Sequence, residues 1–272
     1  MGSITSATDL MSRSEKIRYF CESRMARDFD TVHQCKYYPS DIDEAYEIQK
    51  AVTENLGGSI GAWKLGGTNP WTREAFECSD PYWGPIFAEN VLSADEVNII
   101  NWEFECEPRA EAEIAFRLAK DVRPDEIVTR EIDLLSLFDC VAPSLEFPVN
   151  FYLDVVEHGL PSLVADLCGS GCLVLGPPIQ MDWQAIATPI GVTVVQGIEI
   201  ASGTSGSLVG GIHEVLKNFL RSAGQRGFHF KKGQWVATGG CTQCVPIKFN
   251  EPTIVRFQNL QALEFSLSVA NK

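Results

Sequence analysis

The stretch PRAEAEIAF, residues 108–116, alternates apolar side chains with two carboxylates. Successive side chains on a β-strand point to opposite faces. The apolar residues at the even-numbered positions therefore share one face, which suits a protein core, whereas Glu111 and Glu113 share the other face with Ala115. This alternation predicts a strand with one face in the core.

Short apolar runs separated by Gly, Pro and Asn continue on both sides of this stretch and predict further strands. The predicted strands cover residues 61–65, 84–87, 102–106, 111–118, 141–147, 172–175, 190–196, 234–238 and 253–257. They do not alternate regularly with helices, so a doubly wound parallel sheet is not indicated. We expect an α+β fold with a mixed, largely β core.

Apolar residues at helical spacing predict three helices. The first covers residues 15–27. The second follows Ser40, which is the expected N-cap, and ends at the glycines 57–58. The third covers residues 207–223 and ends at Gly224.

The composition suits a globular protein, with 45% apolar and 21% charged residues in 272. This length fits one large domain or two small ones. Because no linker or repeat divides the chain, we expect a single domain over residues 1–272, with a helical N-terminal part at 1–60 and a β-rich core at 61–272.

The formal net charge of −14 disfavours nucleic acid and anionic membranes as partners. No apolar run approaches the roughly 18 residues that a membrane span needs, and no secretory signal pattern opens the sequence. The odd number of cysteines, 9, argues against a disulfide framework and favours reduced thiols in the cytoplasm.

The acidic pair on the strand at 108–116 has two interpretations. Carboxylates about 7 Å apart on one strand face repel each other, so either water solvates them or a hard cation bridges them. The acids at 103, 105 and 107 are typical of the solvated case. A third acid favours the cation, because Glu146 lies in an apolar run where an unpaired charge would be costly.

A set of motifs, in this order, resembles the fumarylacetoacetate hydrolase superfamily. They are GAWKLGGT at 61–68, GPIF at 84–87, PRAEAEIAF at 108–116, LE at 145–146, AD at 165–166 and ATGG at 237–240. Within that superfamily the closer likeness is to the 2-oxopent-4-enoate hydratases and 4-oxalocrotonate decarboxylases. The likeness extends from about Ser40 to Ser266.

The resemblance implies a mixed β-roll or distorted barrel with an α/β N-terminal part, and a homo-oligomer. It implies that Glu111, Glu113 and Glu146 bind Mg²⁺ or Mn²⁺, and that the protein is a lyase. The substrate would be a small unsaturated 2-oxo acid, which chelates the ion and reacts through a metal-stabilised enolate. Hydration is the first expectation; decarboxylation, acylpyruvate-type C–C hydrolysis, and a repurposed biosynthetic or non-metal member of the fold are the alternatives.

Other residues gain roles from the same resemblance. Lys64 matches an active-site lysine, whose cation could hold the substrate carboxylate or stabilise an enolate; the alternative is a surface lysine. Thr238 and Gly239 match a substrate-binding loop, for which the alternative is a simple turn between strands.

The chain also departs from the pattern of the branch. Tyr82 stands where hydratases carry an acid, and Asp80, two residues earlier, is a candidate substrate-binding replacement. Gly169 stands in the place of a serine, with Ser170 one position later. We therefore name Lys64, Tyr82 and Ser170 as candidate catalytic residues.

Other motifs point elsewhere only weakly. The CTQC run at 241–244 lacks the βαβ context of a thioredoxin site, and a four-cysteine zinc site with Cys168 and Cys172 lacks the usual spacing. Packed free thiols are expected instead. The absence of G-x-G-x-x-G, G-x-S-x-G and P-loop motifs argues against a Rossmann cofactor, a serine hydrolase and an NTPase.

Overall fold

The computed structural model describes residues 12–26, 39–128, 131–151 and 155–270. Its helices are α1 (Arg13–Ala26), α2 (Ile42–Leu56), α3 (Pro70–Ala75), α4 (Pro124–Val128), α5 (Leu134–Leu137), α6 (Val155–Ala165), α7 (Trp183–Ala187) and α8 (Gly211–Gln225). Its strands are β1 (Ile60–Gly66), β2 (Tyr82–Phe87), β3 (Val91–Ser93), β4 (Ile99–Trp102), β5 (Arg109–Leu118), β6 (Phe138–Pro148), β7 (Ser170–Leu175), β8 (Ile179–Gln180), β9 (Gly191–Gln196), β10 (Ile198–Thr204), β11 (Trp235–Ala237), β12 (Val245–Pro246), β13 (Pro252–Phe257) and β14 (Leu263–Val269).

The strands form two mixed sheets. The first has the order β2-β1-β11-β5-β6-β7-β3, with β12 beside β5 and β8 beside β6, and the second has the order β10-β9-β13-β14-β4. Parallel pairs, such as β1 with β11, occur beside antiparallel ones, such as β5 with β6. The α+β prediction is confirmed. Within the described residues, neither sheet closes into a barrel.

The main core lies on one face of the first sheet. The even-numbered residues of β5 are buried there, as predicted, and Phe116 stacks on Trp183 with ring centroids 5.9 Å apart. The ring of Phe147 on β6 packs against that of Phe265 in the second sheet, with centroids 6.0 Å apart, so the two sheets share this core. The side chains on the opposite face of β5 and β6 therefore point away from the main core.

The helix α8 covers the same core with an amphipathic stripe. Its buried residues recur at helical spacing and include Phe219, whose ring lies 6.3 Å from that of Trp63 on β1. Because Trp63 faces the core, its neighbour Lys64 points to the opposite face of the sheet.

The N-cap prediction for α2 was wrong by one residue. Asp41 caps the helix, because its carboxylate accepts the backbone N–H groups of Asp43 and Glu44 at 3.0 and 2.9 Å. Ser40 instead donates its backbone N–H to the carboxylate of Glu44 at 2.6 Å. The predicted end is confirmed, since Gly57 has the left-handed φ of 73° that suits a helix C-cap.

The other boundaries differ where local contacts override the pattern. The strand predicted at 102–106 ends at Trp102, whose indole N–H donates to the Cys106 carbonyl at 2.9 Å and folds the chain back. The third helix begins at Gly211 and ends at Gln225. α6 was not predicted because Gly159 and Pro161, both unfavourable inside helices, lie within it.

In the described part of the chain, no helix combines the length and apolarity needed to cross a membrane. The eight described cysteines are free thiols. Single-domain organisation stays a prediction, as does the end of the first helix at Arg27, which lies outside the described residues.

The packing of α1 against α2 predicts a pH-dependent contribution to stability. Glu44 on α2 lies 2.8 Å from the Lys16 ammonium of α1. Burial opposes ionisation of Glu44, but Lys16 and the Ser40 N–H outweigh it and lower its pKa from 4.5 to about 2. We expect Glu44→Gln to lower the free energy of unfolding by about 1 kcal/mol at pH 7.

Because the folded-state pKa of Glu44 lies below the unfolded value, this contribution is complete above pH 4.5 and disappears as the pH falls towards 2. Urea unfolding of both proteins at pH 7 and at pH 3 measures it. Glu54→Gln, an exposed position on α2, serves as the control. An equal loss of stability by Glu44→Gln at both pH values would contradict the assignment.

Candidate metal centre and active site

The register of β5 and β6 brings the three predicted metal ligands together. Glu111 lies directly opposite Glu146, and Glu113 lies opposite Ser144. Each of the three carboxylates offers an oxygen atom, and these atoms all lie within 4.8 Å of one another. Residues far apart in the sequence therefore meet on the sheet face that points away from the main core.

Burial decides between the two interpretations of these acids. Glu113 and Glu146 are fully buried and Glu111 is half-buried, so a solvated strand face is wrong. Among the described residues, neither Glu113 Oε1 nor Glu146 Oε2 has a hydrogen-bond partner. A buried carboxylate oxygen without a partner is costly, and a divalent cation would remove that cost.

Lys64 completes the group from β1, which β11 separates from β5. It pairs with Ala237 on β11, which in turn pairs with Ala115 on β5. Its Nζ lies 2.8 Å from Glu146 Oε1, and its side chain is only 7% exposed, so the alternative of a surface lysine is wrong. Burial alone would lower the pKa of Lys64, but the three carboxylates raise it overall and keep the amine protonated.

The carboxylates make ionisation of one another difficult. Burial, followed by the charge of Glu146, raises the pKa of Glu111 to about 7. Burial and the two other acids raise the pKa of Glu113 well above its ordinary value, and burial raises that of Glu146 despite Lys64. Clustered carboxylate oxygens with a surplus of negative charge fit Mg²⁺ or Mn²⁺, which prefer oxygen ligands.

The loop after β11 supports the carboxylates. The Gly239 N–H donates to Glu113 Oε2 at 2.7 Å, and the Thr238 hydroxyl donates to the Ile114 carbonyl at 2.9 Å. A Cβ on Gly240 would lie 2.2 Å from Glu111 Oε2, so only glycine lets this loop approach so closely. The structure therefore places Thr238 and Gly239 behind the carboxylates, with their donors already engaged.

A cavity of about 650 Å³ opens beside Lys64 and Glu111. Its remaining described lining residues are Leu65, Gly66, Asn69, Trp71, Thr72, Phe76, Tyr82, Glu105, Cys106, Glu107, Arg109, Pro148, Asn150, Val155, Val156, Leu163, Cys168, Gly240 and Cys244. A concave site of this size, mostly apolar with a few convergent polar groups, is typical of small-molecule binding.

Tyr82, a candidate catalytic residue, lines this cavity. It pairs with Gly66 on β1, and a Cβ on Gly66 would lie 2.1 Å from the tyrosine ring. The missing side chain lets the ring lie against the strand on the same face as Lys64. Burial, followed by nearby Cys168 and Glu111, raises the pKa of Tyr82 well above its usual range, so its hydroxyl stays protonated.

Asp80 and Ser170, predicted as substrate-binding and catalytic residues, do not line the cavity. Asp80 is exposed in the turn before β2, where its carboxylate accepts the Ser79 hydroxyl at 3.2 Å. Ser170 donates its hydroxyl to the Leu167 carbonyl at 2.6 Å, because three consecutive left-handed residues, 167–169, turn the chain back just before it. Neither side chain reaches the cavity in this structure.

Sequence reasoning missed Asn150, which lines the cavity. Its Oδ1 is buried and has no hydrogen-bond partner among the described residues. A Cβ on Gly169 would lie 2.1 Å from this oxygen, so the glycine makes room for the amide. The unusual glycine at 169 was the available signal, but it did not identify the residue that fills the space.

In sequence, this chain is similar to enzymes named as decarboxylases and hydratases. No protein-family model matches the chain. A 4-oxalocrotonate decarboxylase of a Pseudomonas species is 27% identical over 83% of this chain and 86% of the relative. A TodF product hydratase of Pseudomonas putida is 24% identical over 85% of this chain and 86% of the relative.

Solved structures show the same similarity in fold. The 4-oxalocrotonate decarboxylase of Pseudomonas putida G7, complexed with magnesium and adipate, has a TM-score of 0.76 at 18% identity and covers 95% of this chain and 99% of its own. A fumarylpyruvate hydrolase of Pseudomonas aeruginosa, complexed with Mn²⁺ and pyruvate, has a TM-score of 0.59 at 13% identity. The match covers 77% of this chain and 89% of the hydrolase chain.

Mutual repulsion in the carboxylate group predicts that Glu113→Gln stabilises the metal-free protein. On folding, Glu113 must either bury a charge or take up a proton, whereas the amide is neutral and keeps an oxygen for the Gly239 N–H. In chelator we expect the midpoint of thermal unfolding to rise by at least 2–4 °C, the shift that about 1 kcal/mol produces in a chain of this size. Scanning calorimetry measures it.

Glu264→Gln, an exposed position on β14, is the matched control and should leave the midpoint unchanged. A lower midpoint for Glu113→Gln than for the unmodified protein would show that the charged form of Glu113 stabilises the metal-free fold, contrary to this electrostatic account.

Proposed function

We propose that this chain is a divalent-metal-dependent lyase for a small unsaturated 2-oxo acid. Its predicted likeness to the fumarylacetoacetate hydrolase superfamily, and to the hydratase and decarboxylase branch, is confirmed by relatives in sequence and fold. One observation carries the proposal: Glu111, Glu113 and Glu146 are grouped on a buried sheet face next to Lys64. We also expect a homo-oligomer, as the resemblance implies, and a cytoplasmic location, as the odd number of cysteines favours.

The three glutamates would hold Mg²⁺ or Mn²⁺ at the wall of the cavity. A bound ion supplies Lewis-acid polarisation of the 2-oxo group, which makes loss of a proton or of CO₂ from the neighbouring carbon easier. Support comes from the partnerless oxygens of Glu113 and Glu146 and from structural neighbours that contain calcium, magnesium or manganese.

Lys64 would stabilise the negative charge that develops on the substrate. Its ammonium is fixed by Glu146 and lines the cavity, so it needs little reorganisation to face an enolate oxygen or a carboxylate. Thr238 and Gly239 would act indirectly, by holding β5 and Glu113 in place. Asp80 and Ser170 have no part in this proposal.

Tyr82 and Asn150 would select what happens to the enolate. A protonated Tyr82 hydroxyl can donate a proton but is a poor base. The Asn150 amide can orient a substrate or a water molecule in the cavity. Addition of water to the carbon–carbon double bond, as in the hydratases, is the first reaction that we propose.

Decarboxylation is the second candidate, and a specific observation favours it. Loss of CO₂ from a second substrate carboxylate, one conjugated with the 2-oxo group, leaves its electron pair in the enolate and then needs only a proton donor, which Tyr82 can be. Hydration also needs a group to position and deprotonate water. Asp166, which could do so, is instead paired with Arg24 at 2.7 Å outside the cavity. The same placement leaves C–C hydrolysis without a favouring observation.

The proposed metal site predicts that the affinity for the ion depends on whether the substrate head group is bound. Purified, chelator-treated protein should bind Mg²⁺ and Mn²⁺ in a calorimetric titration, and oxalate, a mimic of a 2-oxo acid enolate, should tighten binding at least tenfold. A Glu111→Ala/Glu113→Ala variant should lose both effects, because the carboxylate that remains, Glu146, is already paired with Lys64.

A Glu199→Ala/Glu264→Ala variant removes the same charge from exposed positions on the second sheet and is the matched control. It should bind like the unmodified protein. If the unmodified protein binds neither ion, with or without oxalate, the lyase proposal fails, and a pocket that acts without a metal becomes the better explanation.

Enolate formation can be tested before the natural substrate is known. With Mg²⁺ present, the protein should accelerate exchange of the C3 protons of 2-oxobutanoate with D₂O, measured by proton NMR. Lys64→Met should slow this exchange at least tenfold, since it removes the cation that stabilises the enolate.

Two comparisons keep the exchange experiment interpretable. Circular dichroism and Mg²⁺ titration establish whether Lys64→Met folds and still binds the ion, and Lys64→Arg should recover part of the rate. Unchanged exchange in a folded, metal-binding Lys64→Met variant would rule out the role given to this lysine.

A further inference from the structure

The cavity is much larger than the substrate head group requires. Its volume is about 650 Å³. A six-heavy-atom 2-oxo acid such as pyruvate occupies on the order of 100 to 150 Å³, since each heavy atom takes less than the roughly 30 Å³ of a water molecule. Most of the cavity therefore remains for the rest of the substrate.

The walls beyond the carboxylates are apolar and aromatic. The ring of Phe76 meets that of Tyr82 edge-to-face, with centroids 5.7 Å apart, and both line the cavity. Other apolar side chains continue the wall: Trp71, Leu163, Val155 and Val156. Aromatic surfaces in this arrangement favour a ligand part that is itself apolar, above all a ring.

The charges in the cavity argue against an anionic tail. Among its described lining residues the cations are Lys64 and Arg109. Lys64 is paired with Glu146, and Arg109 donates to the Cys244 carbonyl at 2.9 Å and lies 3.5 Å from Glu107. Both cations among the described lining residues are therefore engaged, so neither offers a free partner to a second substrate carboxylate.

We propose that the natural substrate is a 2-oxo acid with a bulky, uncharged tail that contains an aromatic ring or an equivalent apolar group, bound between Trp71, Phe76, Tyr82 and Val156. This inference rests on the proposed function for the head group. It goes further because it distinguishes this chain's substrate from short 2-oxo acids and from dicarboxylates, and it therefore favours hydration over decarboxylation, which needs a second substrate carboxylate.

A series of 2-oxo acids tests the tail directly. Calorimetric titration in saturating Mg²⁺ compares pyruvate, 2-oxoadipate and 4-phenyl-2-oxobutanoate. We expect the phenyl compound to bind at least tenfold more tightly than either of the others, because each buried methylene or ring carbon adds apolar contact. Equal or tighter binding of pyruvate or 2-oxoadipate overturns the proposal.

A matched pair of variants locates the tail. Val156→Asp places a charge in the proposed wall at a side chain that is 50% exposed, and Val128→Asp places one at a 52% exposed position outside the cavity. Val156→Asp should reduce the affinity ratio of 4-phenyl-2-oxobutanoate to pyruvate at least fivefold, and Val128→Asp should preserve it. An unchanged ratio in Val156→Asp overturns the proposed tail site.

Titration with oxalate distinguishes failure of the tail proposal from failure of the proposed metal-dependent function. If oxalate tightens Mg²⁺ binding but the phenyl compound shows no preference, the tail proposal is wrong and the metal-dependent function stands. If oxalate has no effect, the proposed function is wrong, and the tail proposal fails with it.

Discussion

Four ionisable groups on one largely buried face of the first sheet constrain the rest of this structure. The carboxylates of Glu111, Glu113 and Glu146 lie within 4.8 Å of one another, and Lys64 compensates only part of their charge. Such a group is unfavourable to bury without further positive charge. A divalent ion would supply that charge, so the feature that weakens the metal-free fold is the one that would give the protein its affinity for the ion.

The surrounding backbone positions this group through strand register and through glycines that allow close approach. The register of β5 and β6 sets Glu111 against Glu146, and glycines at 239 and 240 let a loop close behind the acids. On the open side, Gly66 lets the Tyr82 ring lie beside Lys64. Small residues thus allow close approach where a Cβ would displace a candidate site residue. The cavity that remains is large and mostly apolar, and Lys64 and Arg109, the cations among its described lining residues, both have partners.

The sequence predicted the parts that depend on local pattern. Alternation placed Glu111 and Glu113 on one strand face, and an apolar context identified Glu146 as a buried acid in need of a partner. The orientation of Ser170 was not predictable, because it depends on the left-handed turn at 167–169. Asn150 was missed for a similar reason: the space that it fills is created by a glycine nineteen residues later, and only tertiary packing brings the two together.

Anomalous diffraction from crystals grown with Mn²⁺ and oxalate would locate the ion that these three carboxylates are proposed to share. We expect one strong manganese peak about 2.0–2.2 Å from oxygens of Glu111, Glu113 and Glu146, with oxalate reaching towards Lys64. A manganese peak that these three carboxylates do not share, or none at all at saturating Mn²⁺, would contradict this proposal.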